Sequence, residues 1–199
     1  MIFKEADLPG AYIIELERHE DNRGFFARTW CNHEFQGKGL ASAVMQCNLS
    51  YNHQHGTLRG LHLQLPPFTE AKLVRCIRGA IYDVIVDLRI GSPSYLKWFG
   101  IELNDENYAS LYVPPGLAHG FLTLYDETEV YYQMSEFFAP EYGVGVRWND
   151  PCFNINWPEK VRVISAKDRA LPDFDPARFS TIRYDVLSRK FPATPLDQI

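Results

Sequence analysis

Residues 59–75, RGLHLQLPPFTEAKLVR, contain two short apolar strands separated by a Pro-Pro turn. Alternate side chains of a strand point to the same face, so His62 and Gln64 share one face of the first strand and its leucines point to the other. Lys72 begins the second strand, which we expect to lie adjacent to the first. An imidazole and an ammonium in apolar surroundings suit proton abstraction beside a carbonyl. His62 can take the proton, and Lys72 can stabilise the resulting oxyanion.

Short apolar segments alternate with turn signals about every ten residues, a pattern typical of an all-β sandwich or barrel. The predicted strands cover residues 12–16, 25–30, 72–77, 80–88, 98–103, 109–113, 118–124 and 128–137. Arg78-Gly79 between two of these strands predicts a β-hairpin. Helical periodicity is weak except near residues 33–37 and after residue 176. We therefore predict a jelly-roll or cupin-like barrel with short N- and C-terminal helical additions.

The length and charge of the chain restrict the classes of protein it can belong to. We expect a single domain over residues 1–199, with a core at about 10–172 and a C-terminal tail at 173–199. The net charge of −5 argues against nucleic-acid binding, which needs a basic surface. No run of 18 apolar residues and no signal-peptide core is present, so we expect neither a membrane span nor secretion. Four scattered cysteines without a CxxC pair predict reduced thiols and a cytoplasmic location.

A metal site is one alternative, because barrels of this type often hold metals. The usual cupin ligands are two histidines two residues apart, then a glutamate and a distant histidine. This chain has Gln64 at the second position, and Glu70 and His119 are partial matches. A neutral amide binds zinc or iron much more weakly than an imidazole does, so we expect no catalytic metal.

Several basic residues accompany these segments although the chain is acidic overall. For any one of them, a solvated surface charge is the ordinary interpretation. Arg59 and Lys72 are less ordinary, because they flank the His62 strand near the expected barrel mouth. Arginine grips phosphate through two hydrogen bonds. A substrate with a diphosphate would account together for Arg23, Arg59, Lys72, Arg75 and Lys167. The chain has no Walker or GxGxxG pattern that would indicate nucleotide hydrolysis or a Rossmann cofactor.

Tyr132 and Asp168 each allow a structural and a chemical interpretation. Tyr132 can be a cross-strand aromatic of the core, or a phenol that donates a proton opposite a base. Asp168 can cap a turn, or it can orient the His62 imidazole as carboxylates often do. Both alternatives stay open on these residues alone.

A series of short motifs follows one order along residues 1–172. They are RGLHLQ at 59–64, AKLVR at 71–75, DVIVDLR at 83–89, GSP at 91–93, PGLAHGF at 115–121, WNDP at 148–151, WP at 157–158 and SAKD at 165–168. Together they resemble the dTDP-4-dehydrorhamnose 3,5-epimerase family. Because many separate motifs match in order, the resemblance is specific at the level of the family.

The resemblance implies a homodimeric jelly roll without a metal or organic cofactor. It implies as substrate a 4-keto-6-deoxy hexose on a nucleoside diphosphate, in rhamnose-type deoxysugar biosynthesis. His62 matches the base, Asp168 its supporting carboxylate and Tyr132 the acid. The positions that match substrate contacts are Arg23, Phe26, Gln46, Asn48, Arg59, Lys72, His119 and Lys167. The C4 ketone acidifies the hydrogens at C3 and C5, so a base on one face and an acid on the other would invert a centre through an enolate.

We expect the dimer to form through the N-terminal strands at 12–16 and 25–30. Both carry apolar residues, and an unpaired edge there would invite pairing with a second chain. Arg23 and Phe26 are then expected to reach the site of the neighbouring subunit.

Five residues differ from those usual in the family and lie on segments expected to face the substrate: Arg28, Cys47, Glu70, Phe138 and Gly143. The nucleotide and the choice between C3, C5 or both therefore stay open, although Phe138, which cannot donate a proton, favours a single centre. Two other functions are a keto-isomerase or metal-dependent cupin, and a non-catalytic nucleotide-sugar-binding barrel. A set of acid, base and carboxylate counts against the binder, since binding needs no acid–base pair.

Overall fold

A computed structural model of the protein describes residues 1–188, and most of its regular structure is β-strand. The strands are β1 (Ile2–Glu5), β2 (Tyr12–Glu15), β3 (His19–Asp21), β4 (Gly24–Phe26), β5 (Gln46–Asn52), β6 (Thr57–Gln64), β7 (Lys72–Arg78), β8 (Ala80–Asp87), β9 (Trp98–Asn104), β10 (Ser110–Val113), β11 (Leu117–Thr123), β12 (Thr128–Met134), β13 (Gly143–Gly145) and β14 (Val163–Ile164). The helices are α1 (Asn32–Gly37), α2 (Ala166–Arg169) and α3 (Tyr184–Leu187), with 3₁₀ turns at Pro140–Tyr142 and Pro176–Phe179.

The strands form two main sheets that pack face to face. The first sheet has the order β1-β2-β10-β7-β12-β5, and the second has the order β13-β6-β11-β8-β9. Strand β14 adds to β6 in parallel, and β3 and β4 form a separate antiparallel hairpin. The chain crosses repeatedly between the sheets, as in a jelly roll. The predicted all-β jelly roll with short helical additions is confirmed.

Apolar side chains fill three layers. Between the sheets lie residues such as Val74, Ile85 and Leu111. The outer face of the second sheet is covered by C-terminal segments that include Phe179. The outer face of the first sheet is covered around α1, where Phe35 is buried. Because the central strands are buried on both faces, they appear in the sequence as nearly continuous apolar runs.

The expected hairpin at Arg78-Gly79 is wrong, because β7 and β8 belong to different sheets. Only Gly79 separates the two strands, whereas the common hairpin loops have at least two residues. Gly79 has φ +77° and its N–H donates to Asp105 Oδ2 at 2.8 Å. A Cβ at this position would lie 2.7 Å from Thr128 Oγ1. The chain therefore turns a corner from one sheet to the other at this glycine.

Other strand boundaries also differ from the prediction. The strand expected at 25–30 is the three-residue β4, and the one expected at 128–137 ends at Met134. Strand β5 was not predicted, because its half-buried face carries polar residues such as Gln46 and Asn48 instead of an apolar alternation. Strand β2 pairs with β1 on one side and β10 on the other, so β2 is not an edge strand, and the edges of this sheet are β1 and β5.

Both ends of the described chain contribute to the fold. Strand β1 lies before residue 10, and Phe179 and Ile182 are fully buried after residue 172. The predicted helical character after residue 176 is confirmed up to Leu187, and residues 189–199 lie outside the described part. The single domain over 1–199 thus stays a prediction. Among residues 1–188, no helix is both long and apolar enough to cross a bilayer.

A buried ion pair ties the end of β8 to the N-terminal segment. The Asp87 carboxylate accepts hydrogen bonds from Arg89 at 2.9 and 2.8 Å and from the hydroxyls of Ser92 and Ser94, each at 2.6 Å. Arg89 also donates to the Pro9 carbonyl at 2.9 Å. Burial alone would raise the pKa of Asp87, but these donors and the guanidinium charge outweigh it, and the pKa lies below its ordinary value. The carboxylate therefore stabilises the fold above its unfolded pKa, and this stabilisation is lost as the pH falls through the lowered folded value.

Replacing Asp87 by Asn should destabilise the protein by about 3–5 kcal/mol, because it leaves a buried guanidinium without its counter-charge. Urea unfolding measures the change. Lys4→Ala is the control: Lys4 pairs with Glu15 on the surface, and its loss should cost under about 1 kcal/mol. Equal, small effects of the two substitutions would contradict a structural role for the buried pair.

Candidate active site

His62 faces the space between the two sheets. It pairs across the ladder with His119 of β11, and paired residues of an antiparallel ladder point to the same side. His119 shares a face of β11 with Leu117 and Phe121, which lie two residues away on either side and belong to the apolar layer between the sheets. The imidazole of His62 is therefore an inward-facing group, and its side chain remains 42% exposed.

A register shift brings Arg59 onto the same face as His62. Arg59 pairs with Phe121, and His62 with His119, so two residues of β6 oppose Gly120 alone. This is the geometry of a β-bulge. Simple alternation would place Arg59 on the opposite face, and the bulge reverses that.

The bulge requires glycine at position 60. Gly60 has φ +121°, and a Cβ there would lie 2.5 Å from the Cα of Gly120 and 2.8 Å from the carbonyl oxygen of His119. Non-glycine residues rarely adopt that backbone conformation, and the neighbouring strand leaves no room for a side chain.

His62 Nε2 lies 2.6 Å from Asp168 Oδ1. Asp168 is buried in the short helix α2, where the Ser165 hydroxyl caps the helix by accepting from the Asp168 N–H at 3.0 Å. Burial acts to raise the pKa of Asp168, but the hydrogen bond and charge of His62, with further hydrogen bonds from Gly60 and Ser165, leave that pKa below its ordinary value. The ionised carboxylate accepts a hydrogen bond from Nε2–H, so Nδ1 of the neutral ring keeps its lone pair.

Lys72 approaches this site from the opposite sheet. The expectation that its strand lies adjacent to that of His62 is wrong, since β7 pairs with β10 and β12. The buried ammonium nevertheless lies 2.9 Å from Glu70 Oε1 and donates to the His62 carbonyl at 3.2 Å. The two groups meet across the barrel and not along one sheet.

Tyr132 also lies on the first sheet. It pairs with Asn48 of β5 and with Val74 of β7, and it packs against the apolar layer between the sheets. Burial raises the pKa of Tyr132, partly offset by the positive charge of Arg59. The phenol therefore keeps its proton near neutral pH. The acid and base candidates thus occupy facing sheets.

The predicted contacts on β5 and β6 line the same interior. Arg59 Nε donates to Asn52 Oδ1 at 2.7 Å, which holds the guanidinium against β5. Gln46 Oε1 accepts from the Phe138 N–H at 2.8 Å, so its carbonyl has a partner within the protein. Asn48 lies opposite Tyr132.

His119 has a buried partner that sequence reasoning missed. Its Nε2 lies 2.7 Å from Asp83 Oδ1, and Asp83 is fully buried on β8. The available signal was a carboxylate within an apolar strand, because such a group is rarely buried without a partner.

Three predicted contacts lie at the periphery. Arg23 and Phe26 belong to the β3–β4 hairpin, where Arg23 pairs with Asp21 at 2.6 Å and Phe26 is 75% exposed. Lys167 is exposed on α2, beside Asp168. Arg75, considered above among the phosphate-binding cations, alternates with Lys72 and Val74 and so points away from the interior.

The residues at the cupin metal positions do not fit a metal. The Gln64 amide is held by the backbone of Phe68, Phe137 and Ala139, and Glu70 binds Lys72 and the Gln64 N–H. Within residues 1–188, no group of three or more His, Cys, Asp or Glu side chains is placed to hold an ion.

The chain is similar to known proteins of one family. The family model for dTDP-4-dehydrorhamnose 3,5-epimerase matches residues 5–176. The chain is 45% identical to the enzyme of that name from Methanothermobacter thermautotrophicus, with 84% of this chain and 91% of the relative covered. It is 42% identical to the one from Sinorhizobium fredii, with 86% and 89% covered.

Solved structures extend the comparison. The RmlC epimerase of Mycobacterium tuberculosis superposes with a TM-score of 0.89 at 35% identity, covering 96% of this chain and 98% of that one. RmlC of Legionella pneumophila, solved with dTDP-4-keto-L-rhamnose, gives 0.81 at 32% identity, covering 94% and 97%. ChmJ, a 3'-monoepimerase of Streptomyces bikiniensis solved with dTDP-quinovose, gives 0.78 at 31% identity, covering 88% and 87%.

The fold and the matches define an isomerase of the carbohydrate-epimerase class. The chain belongs to the dTDP-4-dehydrorhamnose 3,5-epimerase family.

Gly60→Ala should destabilise the protein by about 1–3 kcal/mol, because the added Cβ meets the backbone of β11 and the positive φ is unfavourable for alanine. Gly37→Ala is the matched control. A Cβ at that helical glycine meets nothing within 4 Å, so the substitution should be neutral or stabilising by up to about 1 kcal/mol. Chemical denaturation measures both, and a tolerated alanine at position 60 would show that the bulge does not require glycine.

Proposed function

We propose that this protein inverts C3 and C5 of a 4-keto-6-deoxy hexose linked to a nucleoside diphosphate, through an enolate and without a cofactor. The observation that carries the proposal is the His62–Asp168 pair on one sheet, facing the sheet that bears Tyr132. An enzyme that inverts a carbon centre needs a base on one side of the sugar ring and an acid on the other, and two facing sheets suit that requirement.

In this mechanism His62 Nδ1 removes the hydrogen beside the C4 ketone. The electrons of the broken C–H bond move to the C4 oxygen, and the Lys72 ammonium stabilises the resulting oxyanion. Asp168 stabilises the imidazolium that forms. The Tyr132 hydroxyl then delivers a proton to the opposite face of the carbon, and the ketone re-forms. This leaves a Tyr132 phenolate and a His62 imidazolium, and proton exchange with water restores both groups before the next inversion. The reaction is an isomerisation without net oxidation, so its balance calls for no electron acceptor.

We propose a dTDP-linked sugar as the substrate. The dTDP-4-keto-L-rhamnose and dTDP-quinovose bound to two structural relatives support this choice. Arg59 supports it as well, since it lies on the His62 face of β6 and its exposed guanidinium can bind a diphosphate. Lys167 and Arg23 would add charge at the periphery.

Two candidates exist for the centres inverted. The relatives at 45% and 42% identity are named 3,5-epimerases and favour both centres, whereas ChmJ at 31% identity is a 3'-monoepimerase. Phe138, the residue that favours a single centre, is largely exposed beside Gln46. We take inversion of both centres as the leading proposal.

The proposal is tested by incubating the protein with the keto sugar in D2O and locating deuterium by NMR. The wild type should incorporate deuterium at C3 and C5 with inversion. His62→Asn should slow exchange at both carbons by about 10²-fold or more, because the base is lost. Tyr132→Phe should retain exchange from the His62 side while inverted product falls sharply.

Tyr125→Phe is the control for this experiment, since Tyr125 is an exposed tyrosine just beyond the end of β11, and it should behave as the wild type. Exchange in His62→Asn above a tenth of the wild-type rate would remove His62 from the role of base. Deuterium at one carbon only would select the single-centre alternative.

We further propose that the active form is a homodimer in which Arg23 and Phe26 reach the neighbouring site. Their hairpin is paired with neither main sheet and exposes Phe25 and Phe26 to solvent. The β1 and β5 edges of the first sheet are open to a second copy. A cytoplasmic location is also proposed, since Cys31, Cys47, Cys76 and Cys152 are all free thiols, as is typical of reducing compartments.

Light scattering should give the mass of two chains, and mixed dimers test the shared site. His62→Asn and Arg23→Ala proteins should each be weakly active alone. After the subunits are exchanged in equal amounts, about a quarter of wild-type activity should return, because half the dimers are mixed and each contains one intact site. A fully active monomer, or mixing without recovery, would contradict the shared site.

A further inference from the structure

The site contains a buried carboxylate that the mechanism does not use. Glu70 lies in the loop between β6 and β7, and its side chain is only 3% exposed. Its Oε1 lies 2.9 Å from Lys72 Nζ, and its Oε2 accepts from the Gln64 N–H at 3.0 Å. Glu70 thus links the end of a strand in one sheet to the beginning of a strand in the other.

Lys72 gains a fixed direction from this contact. An ammonium has three N–H donors, and those of Lys72 have two acceptors in the structure, Glu70 Oε1 and the His62 carbonyl. A lysine side chain has four rotatable bonds, so a single acceptor would leave its head group free to swing. Two acceptors, one on β6 and one in the β6–β7 loop, define where the remaining N–H points.

The second acceptor is the backbone of His62 itself. The Lys72 ammonium is therefore hydrogen-bonded to the same residue whose side chain is the base. The oxyanion is carried by C4, the carbon next to the one that loses its proton, so the stabilising donor must stand at a set distance from the base. Glu70 accepts one of the hydrogen bonds of this donor, at 2.9 Å.

We propose that Glu70 is a positioning residue that acts through Lys72 and orients its ammonium toward the C4 oxygen. The inference rests on the proposed role of Lys72. Glu70 orients the ammonium by accepting its hydrogen bond and not by its charge. A negative charge beside Lys72 weakens the attraction of the ammonium for an enolate.

The test is a double-mutant cycle in which kcat and KM are measured for deuterium exchange into the dTDP-linked keto sugar in D2O. Glu70→Ala should lower kcat by about tenfold or more and change KM less than about threefold, since orientation matters most in the transition state. Glu70→Gln keeps one acceptor oxygen for the Lys72 ammonium, although the Gln64 N–H loses its acceptor, so kcat should stay within about threefold of the wild type.

In a Lys72→Met background, Glu70→Ala should reduce kcat less than about twofold further, because residues that act as a unit are not additive. A purely structural role would give independent losses that multiply. Glu15→Gln, which removes the carboxylate of an exposed ion pair with Lys4, is the control and should leave both constants unchanged.

The outcomes distinguish the proposed role of Lys72 from the proposed role of Glu70. Full turnover by Lys72→Met would overturn the role of Lys72 and thus the proposed mechanism. If Lys72→Met shows a large loss, any one of three results would overturn the role of Glu70 alone. These are no loss of kcat in Glu70→Ala, losses of kcat that multiply in the double mutant, or a Glu70→Gln protein as slow as Glu70→Ala. Should Glu70→Ala fail to fold, Glu70→Asp replaces it: the shorter side chain keeps the charge but not the reach, and wild-type kcat there would refute the proposal.

Discussion

The hydrogen bond between His62 and Asp168 joins segments that are 106 residues apart in the chain. An ionised carboxylate is stable in a buried place only when donors surround it, and the Asp168 carboxylate has the His62 imidazole, the Gly60 N–H of β6 and the Ser165 side chain. The same bond fixes which ring nitrogen of His62 is free. The orientation of the base thus depends on the packing of the C-terminal segment against the second sheet.

The jelly roll supplies the rest of the geometry by placing two sheets face to face. Apolar residues such as Ile85 and Leu111 fill the space between them, and polar groups line the part around His62. Lys72 and Tyr132 come from the first sheet and His62 from the second, so the reacting groups approach from both sides. Two close backbone approaches, the bulge at Gly60 and the corner at Gly79, make this arrangement possible, and each uses a glycine with a positive φ.

Much of the fold could be predicted from the sequence, because strands buried on both faces leave long apolar runs such as that of β8. Strand β5 could not, since its inner face is polar where it lines the site. The partner of a strand cannot be read from its own residues, which is why the β7–β8 hairpin and the adjacency of Lys72 were wrong. The face of Arg59 depends on a one-residue bulge, and alternation alone gives the wrong answer there.

The candidate site shows the same division. The site residues His62, Tyr132 and Lys72 could be proposed from residue type and family motifs. The contacts of Asp83 with His119 and of Glu70 with Lys72 are seen only in the folded structure. The packing of a single chain does not determine whether Arg23 and Phe26 reach an active site, because that contact depends on a second chain.

The central claim is that base and acid act from opposite sides of a sugar held between the sheets. A crystal structure of the Tyr132→Phe protein with a bound dTDP-linked 4-keto sugar tests it most directly. The account predicts the sugar ring between the sheets, with the His62 imidazole on one side and the ring at position 132 on the other, each within about 4 Å of C3 or C5. Both rings on the same side of the sugar, or a sugar outside the barrel, would contradict it.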